Sequence, residues 1–303
     1  MAGGVRAILG GVVVGDGLPV AVMGVLNVSP ESFYAGSVRT DESALVRAAM
    51  AMVEAGATLI DVGARSTAPY LETAISVEEE TDRLARAVAI LAGKLPVPVS
   101  ADTMHAGPAA AALEAGARVI NDVSGLADPA LGRAVAAHDA GLIAMASPHG
   151  EAGAAAPIGG GAAPAGRARN ADAATPLGRV RAVLARALQR ATAAGIRADH
   201  VVLDPGIGFF RDGAVPADVW DVEILAGLAT LRDFGRPLMV GVSRKSFLGV
   251  VTGRAEPAAR LAGSLAAAAL AVAQGAALVR AHDVAETIDA VRVAERVRAV
   301  PRP

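Results

Sequence analysis

Eight short apolar runs punctuate the chain, and nearly every one closes on a polar side chain. In order they are AVMGVLN, closing on Asn27; TLIDVG, carrying Asp61; VPVSAD, closing on Asp102; and RVIND, closing on Asn121 and Asp122. The second half continues with GLIAM, ending at Met145; HVVLD, at Asp204; PLMVGVSRK, at Lys245; and ALVRAHD, at Arg280, His282 and Asp283. Alanine-rich segments of helical length separate the runs, opening near Asp41, Ser76 and Asp128, residue types that cap helix N-termini. Glycine marks several exits, as in the AGA at 55–57 and 115–117. Such alternation implies parallel strands joined by right-handed crossovers. An open doubly wound sheet satisfies the alternation too, but the repeat favours an α/β fold closed as a (β/α)8 barrel. In that architecture the carboxyl ends of the strands gather into one composite site, so residues remote in sequence converge there.

A chain of 303 residues is long for one domain, yet α/β barrels commonly run about 250 residues as one, and a single domain over 1–303 is expected. With 53% hydrophobic and 19% charged residues the chain can bury a full core. The net charge of -2 argues against a nucleic-acid partner. Absence of cysteine excludes disulfides, thiolate nucleophiles and cysteine-bound metals, and is compatible with a cytoplasmic setting. The uncharged stretch from Leu261 to Val279 approaches the roughly 20 residues of a membrane span, but its alanines, Ser264, Gln274 and Gly275 read as a helix followed by a strand. No membrane association is expected. Near the N-terminus two β-branched stretches flank Gly10 and Gly11, which reads as a hairpin over about 5–15 closing the barrel's bottom rather than as an export signal. Residues 151–176, rich in Ala, Gly and Pro, are expected to form a mobile loop on the active-site face.

Taken singly, each strand-end residue is ambiguous, because a lone Asp caps a turn about as often as it binds a ligand. Together Asp102, Asn121 and Asp204 offer acceptors and an amide suited to a flat heterocycle with several N–H donors. Lys245 and Arg280 add positive charge, and a guanidinium can also lie on a π-face. The last strands of such barrels often bind phosphate, which makes Asn27, Arg280 and His282 an anion end. If Arg244 and Lys245 share a strand, only one faces the pocket. None of the five histidines pairs at zinc-motif spacing, and GVVVGDG lacks the Lys and Ser or Thr of a P-loop. Magnesium held chiefly by substrate phosphates fits the composition.

The motifs resemble the dihydropteroate synthases of folate biosynthesis, from about residue 20 to residue 295. The matching pieces are GVLNVSPESF at 24–33, DVGARSTAP at 61–69, SADT at 100–103, INDVSG at 120–125, DPGIGF at 204–209, GVSRKSFLG at 241–249 and VRAHD at 279–283. The resemblance implies a TIM barrel that condenses 6-hydroxymethyl-7,8-dihydropterin diphosphate with p-aminobenzoate and releases pyrophosphate. It assigns Asp102, Asn121, Met145, Asp204, Phe209, Lys245 and Arg280 to the pterin. Asn27, Arg280 and His282 fall to the diphosphate, with Asn27 also on Mg2+. The arylamine side comprises Arg65, Ser66, Thr67, Pro69 and Ser246, and catalysis rests on Lys245, Arg280, His282 and Asp102. Small-molecule substrates and a homodimer, packed through the helix from Pro257 to Gln274, are implied as well.

Departures from the family pattern cluster on the amine side. Arg65 precedes Ser66 and Thr67 where Glu is usual, Ala68 follows where Arg is usual, and Tyr70 replaces a glycine. Ala146 stands in place of a histidine and Arg211 in place of a lysine. Two rival chemistries therefore stand beside the first. One is a methanopterin-type synthase using a ribosylated arylamine phosphate, with Arg65 and Arg211 serving the extra phosphate. The other is a pterin-binding methyltransferase module acting with a corrinoid protein, against which the joint presence of LNVSPESF, SRKSFLG and RAHD argues. A catalytically silent pterin-binding protein fits the same motifs.

Overall fold

Polar strand ends on apolar strands require a sheet buried on both faces, and the chain forms one. The computed structural model describes residues 4–28, 38–64, 75–151, 175–211 and 215–300, with 38–41 described in backbone only. Eight parallel strands follow the N-terminal hairpin: β3 (Ala21–Asn27), β4 (Leu59–Gly63), β5 (Val99–Asp102), β6 (Val119–Asp122), β7 (Gly141–Met145), β8 (Val201–Asp204), β9 (Met239–Gly241) and β10 (Leu278–Ala281). They pair in the order β8-β7-β6-β5-β4-β3-β10-β9, and a bridge from Leu203 to Leu238 brings the two edges together. The result is a nearly closed α/β barrel of the TIM type.

The hairpin, β1 (Arg6–Leu9) and β2 (Val12–Gly15), turns through Gly10 and Gly11, both at positive φ as the tight primed turn requires. Its Ala7, Leu9 and Val14 insert among Met23, Leu59, Val119, Ile143, Val202, Met239 and Leu278. Those are the inward residues of the strands' lower halves, so the hairpin plugs the barrel's bottom. Two residues further along a strand the side chain faces inward again, one layer nearer the opposite end. That places Asp61, Asn121 and Arg280 one layer above Leu59, Val119 and Leu278.

The outer layer comprises α1 (Val38–Glu54), α2 (Val77–Ala92), α3 (Ala106–Glu114), α4 (Pro129–Ala137), α5 (Pro176–Ala193), α6 (Ala217–Ala226), α7 (Ser246–Thr252), α8 (Leu261–Ala273) and α9 (Val284–Arg298). In α2 the Ser76 side chain accepts from Glu79 N at 3.1 Å, three glutamates occupy the positive first turn, and Leu84, Ala87, Val88 and Leu91 form the buried stripe. Asp128 caps α4 in the same way, accepting from Ala130 N at 2.8 Å.

Three boundaries differ from the sequence reading. Helix α1 begins at Val38, which puts Asp41 within its first turn rather than at the cap. The run PLMVGVSRK yields only three strand residues: past Gly241 the chain enters a turn in which Lys245 N–H donates to Val242 O at 3.4 Å and Arg244 takes a left-handed φ of 57°. Residues 175 and 176, read as loop, belong to α5: Thr175 caps it and Pro176 opens it. The rest of the 151–176 segment lies outside the described residues except Glu151, whose carboxylate holds Arg179 of α5 at 2.5 and 2.7 Å. Among the described residues no helix is long and apolar enough to cross a membrane.

Candidate active site

The carboxyl mouth of the barrel is organised around Arg280. At the end of β10 its Nε donates to Asp61 Oδ2 and its terminal Nη2 to Asp102 Oδ2, both at 2.7 Å. Asp61, with 0% of its surface exposed, also accepts from Asn121 Nδ2 at 3.0 Å. One carboxylate thus fixes both the Arg280 guanidinium and the Asn121 amide, whose Nδ2 faces Asp61. Asp61 was absent from the sequence-derived site residues. A charged residue at the centre of an otherwise apolar strand, on the inward parity with Leu59, was the signal that could have identified it.

Asp102 is buried, and its Oδ1 has no hydrogen-bond partner among the described residues. Desolvation raises its pKa to about 7, the Arg280 charge opposing and the carboxylates of Asp61, Glu80 and Asp122 reinforcing the shift. The strand end carrying it is anchored by Glu80 of α2. That buried carboxylate accepts from the Thr103 hydroxyl at 2.5 Å and contacts the His105 ring at 2.9 Å. Asp122, the outward neighbour of Asn121, organises its own turn by accepting from Ser124 N, Ser124 Oγ and Leu126 N.

Across the mouth, Asp204 ends β8 and is also buried; its Oδ1 accepts from Gly206 N at 2.8 Å, and burial raises its pKa. Gly206 is at φ 72°, and a Cβ there would lie 1.8 Å from the Ala146 carbonyl, so the turn requires glycine. Met145 is buried beside Asp204 in the strand pairing.

Lys245 follows β9 by four residues as the N-cap of α7. Its ammonium donates to the Ile207 carbonyl and stands 4.7 Å from the centroid of the Phe209 ring. Desolvation lowers its pKa to about 8, despite the opposing carboxylates of Asp204 and Asp221. Arg244, the neighbouring cation, points elsewhere, pairing with Asp283 at 2.9 and 2.5 Å. The choice of Lys245 over Arg244 therefore rests on the left-handed turn rather than on strand parity.

Two rim residues complete the mouth. Asn27 is exposed at the end of β3, opposite Gly63. His282 is exposed just past β10, its Nδ1 3.0 Å from Ser243 Oγ, and the Ser243 hydroxyl also accepts from the His282 backbone N–H at 3.3 Å. The surrounding protein, then the charges of Arg280 and Arg244, lowers the imidazole pKa and leaves it neutral at pH 7 in the free protein. Ser243 was not singled out from sequence, and Asp61 was named there as a strand-end residue without a role. Ser246 opens α7 and accepts from Arg211 Nη2 at 2.7 Å. Arg65, Ser66, Thr67 and Pro69 lie outside the described residues.

The mouth therefore sets an arginine among two carboxylates and an amide at one side, a carboxylate and an ammonium across it, and an imidazole and amide at the rim. Comparison with known proteins agrees with this chemistry. The family model for pterin binding enzymes matches residues 23–282. The dihydropteroate synthase of Escherichia coli strain K12 is 36% identical over 275 residues, 90% of each chain, and that of Mycobacterium leprae 38% over 282 residues, 91% of this chain and 92% of that one. The solved Xanthomonas albilineans dihydropteroate synthase with 4-aminobenzoic acid superposes with a TM-score of 0.81 at 35% identity, covering 99% of this chain and all of that one. The same enzyme in complex with 7,8-dihydropteroate gives 0.78 at 33% identity, covering 98% and 100%. With the barrel, the charged mouth and these matches in agreement, the chain belongs to the pterin-binding enzymes, as a member of the dihydropteroate synthase family.

Proposed function

We propose that this chain, one pterin-binding barrel domain over 1–303, joins 6-hydroxymethyl-7,8-dihydropterin diphosphate to p-aminobenzoate and releases pyrophosphate. The observation that carries the reading is the Asp61–Arg280–Asp102 network at the barrel mouth, with Asp204 and Lys245 across from it. Asp102 Oδ1, the Asn121 amide and Asp204 meet the pterin ring N–H groups, while the Lys245 ammonium and the Arg280 guanidinium meet its acceptors and its π-face. Met145 and Phe209 supply apolar walls. The C–O bond to the diphosphate breaks with its electron pair leaving on pyrophosphate. The arylamine lone pair then forms the C–N bond, and the amine loses a proton. Positive charge developing on the pterin methylene is favoured by the carboxylates beneath it, and the departing anion by His282, Asn27 and Arg280. No protein nucleophile is needed.

A magnesium ion fits the donor set as a companion of the diphosphate. The Asn27 side chain is an exposed, hard oxygen donor at the anion end, and among the described residues no group of three or more His, Cys, Asp or Glu forms a cage. Bound there with Asn27, the ion would neutralise diphosphate charge; the side chains do the remaining positioning.

The same proposal includes a cytoplasmic homodimer. Val250 and Val251 on α7, Leu270 on α8 and Val293 and Val297 on α9 expose 58–66% of their surfaces, while α8 turns Ala267, Ala268, Ala271 and Val272 to the barrel. The amine is taken to be p-aminobenzoate rather than a ribosylated phosphate because Arg211 is already engaged by Gly208 O and Ser246 Oγ.

A mass-spectrometric turnover assay with the pterin diphosphate, Mg2+ and p-aminobenzoate tests the reading. Dihydropteroate and pyrophosphate are expected together, well above the uncatalysed control. Pyrophosphate without dihydropteroate would assign a different amine, and rescue of p-aminobenzoate turnover by Arg65→Glu with Ala68→Arg would place that difference in the second-strand loop. Pterin binding with neither product would refute the synthase assignment.

A further inference from the structure

Lys245 is held by three consecutive residues of the turn after β8. Ile207 accepts from its Nζ, the Phe209 ring lies 4.7 Å away, and the aliphatic stem packs on Gly208, where a Cβ would sit 2.8 Å from Lys245 Cδ and 3.4 Å from Nζ. The middle residue of this cradle adopts φ 91°, and its peptide groups are gripped from outside. Gly208 N–H donates to Asp221 Oδ1 at 2.7 Å, and Gly208 O accepts from Arg211 Nε at 3.2 Å. Asp221 sits on α6 with 0% exposure; among the described residues its Oδ2 has no hydrogen-bond partner, and it lies 3.8 Å from Arg211 Nη2, which itself donates to Ser246 Oγ.

We infer that Asp221 is the positioning residue of Lys245, clamping the Gly208 peptide directly and through Arg211 so that the turn holds the ammonium at the pocket. A buried carboxylate with one oxygen unbonded is costly unless a cation faces it. Arg211 and, through the turn, Lys245 are those cations. The strongest charges acting on Lys245 among the described residues come from four elements: Asp204 from β8 and Asp221 from α6 favour the ammonium, Arg280 from β10 and Arg211 from the turn oppose it. His282 at the rim is in turn depressed by Lys245. Asp221 thus acts on Lys245 both by geometry and by charge, and through Arg211 it also orients Ser246. The consequence for catalysis rests on the proposed pterin site; the effect on Lys245 does not.

The chain contains two lysines, the exposed Lys94 and Lys245, so lysine labelled with 13C at Cε gives one signal for the site and one internal reference. Asp221→Asn keeps an acceptor for Gly208 N–H and removes the charge. Its expected result is a Lys245 titration midpoint lowered by about half a pH unit or more, with Lys94 unmoved. Arg211→Gln, at a partly exposed site, should move the midpoint the opposite way and serves if Asp221→Asn does not fold. Midpoints equal to wild type in either folded variant would overturn the inference, because a purely structural side chain alters chemical shifts without altering the titration. Pterin affinity measured on the same samples separates the two readings. If the Lys245 midpoint falls in Asp221→Asn and the alkaline loss of pterin affinity falls with it, both stand. If the midpoint falls and the affinity profile does not, Asp221 positions Lys245 but Lys245 is not a pterin ligand.

Discussion

Replacing Asp61 with asparagine preserves the shape of the side chain and removes the charge on which Arg280 and Asn121 converge. Both bonds run to a charged acceptor and are worth about 1.5–3 kcal/mol each, against about 0.5–1.5 kcal/mol for a bond between neutral groups. Both bonds end on Oδ2, so the oxygen of the substituted amide can still accept both without the acceptor's charge, and Arg280 keeps Asp102 at 2.7 Å with 19% of its side chain exposed. The loss is therefore smaller than the roughly 3–5 kcal/mol of a fully stranded buried charge. A destabilisation of about 2–3 kcal/mol follows, which at about 2–4 °C per kcal/mol for a chain of this size lowers Tm by roughly 4–12 °C. Pterin affinity should drop as well, because a neutral oxygen holds the Asn121 amide less strongly. The pH dependence moves in a less obvious direction. Asp61 is one of the charges that raise Asp102, so its removal lowers the Asp102 pKa from about 7 and extends the ionised form to more acid solution. Calorimetric titration of the pterin substrate from about pH 5 to 9, bracketing the Asp102 and Lys245 transitions, with thermal melts at each pH, reads both effects. A weaker maximum combined with an acid limb shifted to lower pH is expected. An unchanged Tm, or an acid limb shifted upward, would refute Asp61 as the shared anchor.

The remaining predictions concern the other charged groups. Because the folded-state pKa of Asp102 is raised, its stabilising contribution is full below about pH 4 and is lost as pH rises through about 7; Asp102→Asn should therefore gain stability over wild type at about pH 8 relative to about pH 5, and a melting difference equal at both values would contradict the burial argument. Asp204→Ala leaves Gly206 N–H without its acceptor and should lose both pterin binding and about 1–3 kcal/mol of stability, whereas near-normal affinity would remove Asp204 from the pocket. His282→Ala should weaken inorganic pyrophosphate binding several-fold and spare free pterin; the reverse pattern in competition calorimetry would relocate the anion end.

The strands were legible because burial on both faces forces near-continuous apolar runs, and β3, β5, β6 and β8 each end on the polar side chain that closes the run. The seventh and eighth runs behave differently, because GVSRK and RAHD leave the sheet early: nothing in the apolar pattern announces that Arg244 turns left-handed or that β10 stops at Ala281. Asp102, Asn121, Asp204, Lys245 and Arg280 were found because they lie at or near the ends of runs. Asp61 was named on its run but given no role, because it sits two residues short of its strand's end and its parity with Leu59 gains meaning once Leu59 is seen to face the hairpin plug. Asp221 carries no such mark, since its importance comes from a bond to a backbone N–H across 13 positions of chain, which no side-chain pattern encodes. The Arg211 substitution was visible in sequence, but its engagement with Gly208 and Ser246 emerges only when α7 is folded against the turn after β8.

The barrel explains why so many unfavourable ionisations are tolerated at one end. The hairpin fills the bottom with Ala7, Leu9 and Val14, so the lower layer is an ordinary apolar core and the strands are fixed in register without help from the mouth. Above it, burial pushes Asp102 and Asp204 up and Lys245 down, which means the free protein holds charges it would be more stable without. Arg280 offsets part of that cost by bridging Asp61 and Asp102, and the Asp221 carboxylate offsets another part at Lys245. What remains is a set of donors and acceptors fixed before any ligand arrives. A pterin ring presenting N–H groups to the carboxylates and acceptors to the cations relieves the residual cost, so that ligand binding should raise Tm most steeply between about pH 7 and 8, where Asp102 is ionised and Lys245 still protonated.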